Sequence, residues 1–185
     1  ALYLSLAVFL ASGLTLIALS SWWLLLVGLA VGLGIFAYSG GPYPLSYHGL
    51  GDVAVLVFFG WVPVVTSFFI LRGTIADPTL WQLATAIGLS SVNILVVNNY
   101  RDAEEDRKAG KRTLIVRMGR DFAPRFYLTC GLLSLGLLYP IYSFWGMLLM
   151  LPYIVLFSAT HRHLQFAEGA ELNKTLGKTA RNVFF

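Results

Sequence analysis

The chain has 185 residues, of which 57% are hydrophobic and only 12% charged. A soluble domain carries about twice that charge, so the composition excludes an ordinary water-soluble fold and points to a polytopic membrane protein. The formal net charge of +4 then reflects loop topology rather than nucleic-acid binding. The lone cysteine, Cys130, lies in an apolar run and reads as a buried structural thiol, since it has no partner for an internal disulfide.

A helix needs about 20 apolar residues to cross a bilayer. About six segments qualify, near residues 1–20, 22–39, 53–71, 79–100, 122–142 and 144–160. The first lacks a basic start and runs straight into further apolar sequence, so it does not read as a cleavable signal peptide. Only Ser20 and Ser21 separate the first two, which predicts a tight helical hairpin. The run Ser39-Gly40-Gly41-Pro42-Tyr43-Pro44 cannot continue a helix. Arg72-Gly73 closes the third span. Asp77 is placed to cap the fourth, with Pro78 at its first helical position. The expected fold class is all-α, a polytopic transmembrane helix bundle forming a single domain over residues 1–185.

Charge sets the expected orientation. Arg101, Arg107, Lys108, Lys111, Arg112, Arg117 and Arg120 crowd the loop after the fourth span, and Arg162, Lys174, Lys178 and Arg181 follow the sixth. Lys and Arg concentrate on the cytoplasmic side of membrane proteins. That rule places the 40–52 loop, the 101–121 loop and the polar tail together on that side.

The richest segment runs from Asn98 to Leu114. Acids near a membrane span are costly to desolvate and are rarely there without a reason. Asn98, Asp102 and Asp106 recur every fourth residue, so they share one helix face. Arg101 can pair with Glu105, and Glu104 with Lys108, at four-residue spacing. That leaves Asp102 and Asp106 facing each other, a repulsion that a bound cation would relieve. Mg²⁺ favours oxygen ligands and commonly joins one or two carboxylates to substrate phosphates. Lys108, Lys111 and Arg112 can then take the remaining phosphate charge. The alternative is a solvated loop of mixed charge, since two aspartates four apart are a weak signal alone.

The wording of the segment is more specific than its spacing. Asn98-Asn99-Tyr100-Arg101-Asp102, continuing as Asp106-Arg107-Lys108-Ala109-Gly110-Lys111-Arg112-Thr113-Leu114 and on to Arg117, Met118 and Gly119, resembles the second aspartate-rich motif of UbiA-type intramembrane prenyltransferases. A second stretch, Gly41-Pro42-Tyr43-Pro44-Leu45-Ser46-Tyr47-His48-Gly49-Leu50-Gly51-Asp52, is similar to the same group. Together they look closest to the 1,4-dihydroxy-2-naphthoate polyprenyltransferases of menaquinone synthesis.

The resemblance implies a bundle of about nine spans, of which this chain supplies about six. Asp102 and Asp106, with Asn98, would be one half of an Mg²⁺ site that holds a polyprenyl diphosphate. The other half, an N-D-x-x-D motif, would precede Ala1, and a last span would follow Phe185. The chain is thus expected to be a fragment, inactive alone. The implied reaction transfers the prenyl group to dihydroxynaphthoate, giving demethylmenaquinone with release of diphosphate and CO₂. It would run at a bacterial plasma (inner) membrane with its site loops cytoplasmic, and its partners would be the two substrates and the lipid bilayer, with no nucleic acid. In that frame Lys108, Lys111 and Arg112 bind diphosphate, and Tyr43, Tyr47 and His48 receive the aromatic acceptor. Each has a plainer reading: the tyrosines as interfacial anchors, His48 as a structural hydrogen-bonding group.

Other residues read as structural. Asp52 suits an N-cap of the third span, with catalysis as the sharper alternative. Asn93 reads as interhelical glue. His161, His163 and Glu168 read as part of a polar tail rather than a metal cluster. A 4-hydroxybenzoate transferase, a transporter and a purely structural membrane subunit are the rival functions. A transporter would place acids midway through its spans.

Overall fold

The computed structural model describes residues 2–141 and 144–184. The expected limits of the first span at residue 1 and of the fifth at residue 142 lie outside the described residues. Among the described residues the fold is all-helical.

Helix α1 covers Leu2–Leu19 and α2 covers Leu24–Ser39. The chain turns between them, but the tight hairpin does not form. α1 keeps nearly every side chain exposed. Both helices are apolar all round, so neither has a face that prefers its neighbour to lipid.

A short 3₁₀ turn, Leu45–Tyr47, leads into one continuous helical rod. The rod comprises α3 (Gly51–Val55), a π-helical turn (Leu56–Trp61) and α4 (Val62–Arg72). Gly73, at φ 71°, ends it in a left-handed cap. α5 then runs from Pro78 to Arg101. Its N-cap is the predicted one: the Thr79 N–H donates to Asp77 Oδ1 at 2.8 Å. The 51–72 rod and α5 are both long and apolar enough to cross a membrane. At 1.5 Å per residue, α5 spans about 36 Å.

α5 is the axis of the bundle. Val92, Val96 and Val97 on it are buried against Tyr127 and Cys130 of α8 (Phe122–Leu138) and Phe157 of α10 (Leu151–Phe166). Cys130 is 2% exposed in this core, as a structural thiol should be. On its other side α5 meets the π turn through facing glycines. A Cβ on Gly60 would lie 2.6 Å from both the Ala84 carbonyl oxygen and Gly88 Cα. Near the far end, Trp61 donates from Nε1 to Thr85 Oγ1 at 3.0 Å and packs edge-on against Trp81.

Two expectations fail in the C-terminal third. The span predicted at 144–160 is broken, with α9 (Phe144–Leu149) ending before Met150 and α10 extending to Phe166. Pro152 explains the interruption, because it fits the first turn of a helix but not its interior. The polar tail is not a solvated tail either. Residues Glu171–Asn182 form α11, whose Leu172, Thr175, Thr179 and Asn182 are buried. α11 packs on α5 and α10. His163 Nδ1 bonds Thr175 Oγ1 at 2.7 Å, Asn182 Nδ2 donates to Thr160 Oγ1 at 3.0 Å, and Tyr127 shares a bond with Thr179 at 3.3 Å.

Candidate functional site

Two short helices complete the polar end of the bundle. α6 is Ala103–Lys108 and α7 is Leu114–Met118. Asp102 joins α5 to α6 with φ −94° and ψ 5°, so the helix kinks there. The hydrogen-bond run still continues. Asp102 N donates to Asn98 O at 3.0 Å, and Asp106 N to Asp102 O at 2.8 Å. Asn98, Asp102 and Asp106 consequently face the same space.

That space is a cavity of about 340 Å³. The three residues share it with Lys111, Tyr47 and Asp52, and with Tyr38 and Ser39 at the end of α2. An apolar groove of about 570 Å³ lies beside it, walled by Val31, Ile35, Val55, Phe58, Phe59 and Ile94. Tyr38, Ser39, Leu95 and Asn98 line both spaces.

The charge pairing differs from the four-residue pattern. Arg101 does not pair with Glu105. Its guanidinium grips Asp102 with both prongs, Nε to Oδ1 at 2.7 Å and Nη2 to Oδ2 at 2.8 Å. It also reaches Asn98 Oδ1 at 2.8 Å and, across to α11, Asn173 Oδ1 at 2.9 Å. A planar fork matches a carboxylate better than a stretched pair along the helix does. Glu104 pairs with Arg107, three residues on, rather than with Lys108. Asp106, 7% exposed, is met by Lys111 Nζ at 2.9 Å. Asp102 and Asp106 are therefore each matched by a cation in this structure, not left facing each other unpaired.

The electrostatics follow from these bonds. The Arg101 hydrogen bonds hold the Asp102 carboxyl below the usual carboxylate range. The bond to Asp106 pushes the Lys111 ammonium above the usual lysine range. A depressed carboxylate adds stability that is present above its ordinary pKa of about 3.9 and lost as pH falls through the folded value. Arg101→Ala should therefore lower thermal stability in detergent by about 1 kcal/mol at neutral pH. The gap to wild type should close as pH drops below that range. A gap that stays constant from pH 7 to pH 3 would show that the Arg101–Asp102 pair contributes nothing.

The remaining sequence candidates separate. Tyr47 lines the cavity, with Lys111 Nζ 5.6 Å from its ring centre. Tyr43 and His48 do not. They stack on one another at 3.5 Å, and His48 Nδ1 donates to the Pro44 carbonyl at 2.8 Å. Lys108 and Arg112 are exposed and lie off the cavity wall. Arg112 instead joins the two polar loops through its backbone, its N–H donating to Tyr47 O at 2.9 Å. Arg117 Nη2 reinforces the join by donating to His48 O at 2.9 Å. Gly49, at φ 75°, lets the loops approach this closely, for a Cβ there would lie 3.0 Å from Arg112 O.

Asp52 is the residue that sequence reasoning undervalued. It does not cap its helix; Leu50 holds the cap position, and no side-chain capping bond forms. Its carboxylate is buried in the cavity wall. A glycine-rich turn before an isolated acid was the available signal, and it fits an N-cap equally well. Asn93 is buried, and its Oδ1 has no hydrogen-bond partner among the described residues. His161 bonds the Pro124 carbonyl at 3.1 Å and His163 bonds Thr175. Among the described residues, no three of His, Cys, Asp and Glu gather closely enough to hold a metal by themselves.

An apolar helix bundle with an acid- and base-lined chamber beside an apolar groove defines a polytopic helical membrane protein. Comparison with known proteins makes the class specific. Residues 1–180 match the UbiA prenyltransferase family, and the chain belongs to that family. It is 38% identical over 163 residues to the 1,4-dihydroxy-2-naphthoate octaprenyltransferase of Escherichia coli (strain K12), covering 82% of this chain and 52% of the relative. It is 41% identical over 109 residues to the protein of the same name in Bacillus subtilis (strain 168), covering 58% and 34%. Against the 2-carboxy-1,4-naphthoquinone phytyltransferase of Synechocystis it is 32% identical over 116 residues, covering 61% and 36%. The chain thus spans about half the length, or less, of these curated relatives. No solved structure matches.

Proposed function

We propose that the full-length protein transfers a polyprenyl group from its diphosphate to 1,4-dihydroxy-2-naphthoate, releasing diphosphate and CO₂ and giving demethylmenaquinol, the reduced form of demethylmenaquinone. One observation carries this reading: the polar chamber and the apolar groove share Tyr38, Ser39, Leu95 and Asn98. A prenyl diphosphate has the same division, with a charged head and a hydrocarbon tail. Its reactive carbon would lie at the junction. The relatives support the acceptor, because their names vary in the prenyl group and agree on a naphthoid ring.

The reading assigns roles by position. Asn98, Asp102 and Asp106 offer oxygen donors only, the chemistry Mg²⁺ prefers, and the ion would complete its shell with water and substrate phosphate. Bound there, it would neutralise charge on the departing diphosphate. Lys111, already in the chamber, takes a share of that charge. Lys108 and Arg112 serve from the outer rim. Tyr47 presents its ring to the acceptor or to the allylic cation, with Tyr43 and His48 as a stacked support behind it. The oily walls keep water from the cation. The chain forms part of a single domain in a bacterial inner membrane, with the loops around Asp102 cytoplasmic. That orientation agrees with the basic excess of those loops.

The test is an acceptor competition in membranes bearing the full-length enzyme. Given polyprenyl diphosphate and Mg²⁺, it should prenylate dihydroxynaphthoate with carboxyl carbon released as CO₂. Product from 4-hydroxybenzoate alone would overturn the acceptor assignment.

A further inference from the structure

Three carboxylates line the chamber, and two are held by cations: Asp102 by Arg101, Asp106 by Lys111. Asp52 makes no ion pair among the described residues, although it is only 6% exposed. A buried carboxylate without a cation is costly. Its place in the first turn of the 51–72 rod offsets part of that, since the positive end of the helix dipole favours an anion. Such a group is available to a ligand.

Its location indicates which ligand. Asp52 follows Gly51, and a Cβ on Gly51 would lie 3.4 Å from Leu95 and 3.6 Å from the Tyr38 hydroxyl. Leu95 and Tyr38 are two of the residues that belong to both chamber and groove. Asp52 itself lines the chamber, one residue on from this meeting of chamber and groove.

We propose that Asp52 is the base that accepts the hydroxyl proton of the aromatic acceptor. This rests on the prenyl-transfer reading above. The O–H bond breaks, the proton passes to an Asp52 oxygen, and the electron pair enters the ring through the hydroxyl oxygen. The ring carbon forms its new bond to the allylic carbon while the allylic C–O bond breaks and its electrons leave with diphosphate. The carboxylate on the attacked carbon departs as CO₂ and returns its bonding pair to the ring. The oxygen then recovers its proton from Asp52, so the base is regenerated.

The experiment compares Asp52→Asn and Asp52→Glu with wild type in the full-length enzyme. General-base assistance is worth about 10²–10⁴-fold. Asp52→Asn should lower kcat by at least about 100-fold without changing the KM for polyprenyl diphosphate or the Mg²⁺ dependence. Asp52→Glu should recover part of the loss. A ring-fluorinated acceptor, whose hydroxyl is more acidic, should shrink the Asp52→Asn penalty, which a merely structural role would not do. Near-normal turnover by Asp52→Asn overturns the proposal and leaves the transferase reading standing. So does a loss confined to prenyl diphosphate binding, or an equal penalty with every acceptor. If wild type itself transfers nothing to any hydroxylated aromatic, the transferase reading fails first.

Discussion

Asp106→Ala in the full-length enzyme is expected to cut Mg²⁺-dependent turnover on the order of 10²–10³-fold, the scale seen when one preorganised charge-stabilising group is lost from an active site. Asp106 is buried at the inner wall of the chamber and holds Lys111 at 2.9 Å. Its loss would remove an oxygen donor for the cation and free the lysine that should meet the diphosphate. Asp102→Ala should act comparably by a different route, since Arg101 would keep Asn98 and Asn173 but lose its carboxylate partner. Asp106→Asn separates charge from volume. It should retain the folded protein and still fail to respond to Mg²⁺. The measurement is single-turnover transfer across an Mg²⁺ titration. Either alanine variant working within tenfold of wild type would remove that residue from the metal site.

The second large effect concerns the scaffold. Gly88→Leu should destabilise the bundle by about 1–3 kcal/mol or more, the usual cost of overpacking. A Cβ at Gly88 already falls 2.6 Å from Leu56 Cδ1, 2.9 Å from Leu56 O and 3.2 Å from Gly60 Cα. Two of those obstacles are backbone atoms and cannot rotate away. The rod must then move off α5, and the rod carries Asp52 while α5 carries Asn98. Turnover should therefore fall further than stability does. Gly88→Ala should show a smaller version of both losses. Gly136→Leu is the control, for nothing lies within 4 Å of a Cβ there. The folded fraction in detergent, followed by gel filtration on heating, ranks the three. Equal stability of Gly88→Leu and Gly136→Leu would show that the glycine contact is dispensable.

Much of the fold was legible because its signals are local. The Asp77-Pro78 start of α5 depends on one cap and one restricted dihedral, and both formed as read. The clustering of Asn98, Asp102 and Asp106 depends on helical spacing, which survives the kink because the backbone bonds run through it. The charge pairs were misread for a non-local reason. Spacing along a helix favours Arg101–Glu105, but α11 brings Asn173 to the other side of Arg101 and turns its fork toward Asp102. α11 reads as a tail in the sequence because its buried face is built largely of Thr175, Thr179 and Asn182, residue types normally met at a surface.

Composition and pattern alone determined the membrane class, the all-helical architecture, the family resemblance and the acidic segment from Asn98 to Asp106. All of these rest on residue chemistry and on periodicity within single helices. Only the tertiary structure decided which polar groups share a chamber. Lys111 and Tyr47 entered it, Lys108, Arg112, Tyr43 and His48 stayed outside, and Asp52 turned inward from a helix start that looked like a cap. The physical reason is that helical spacing orders side chains around one axis only. Which of them meet across a cavity depends on how closely two axes approach, and here the Gly60–Gly88 contact helps to set that distance.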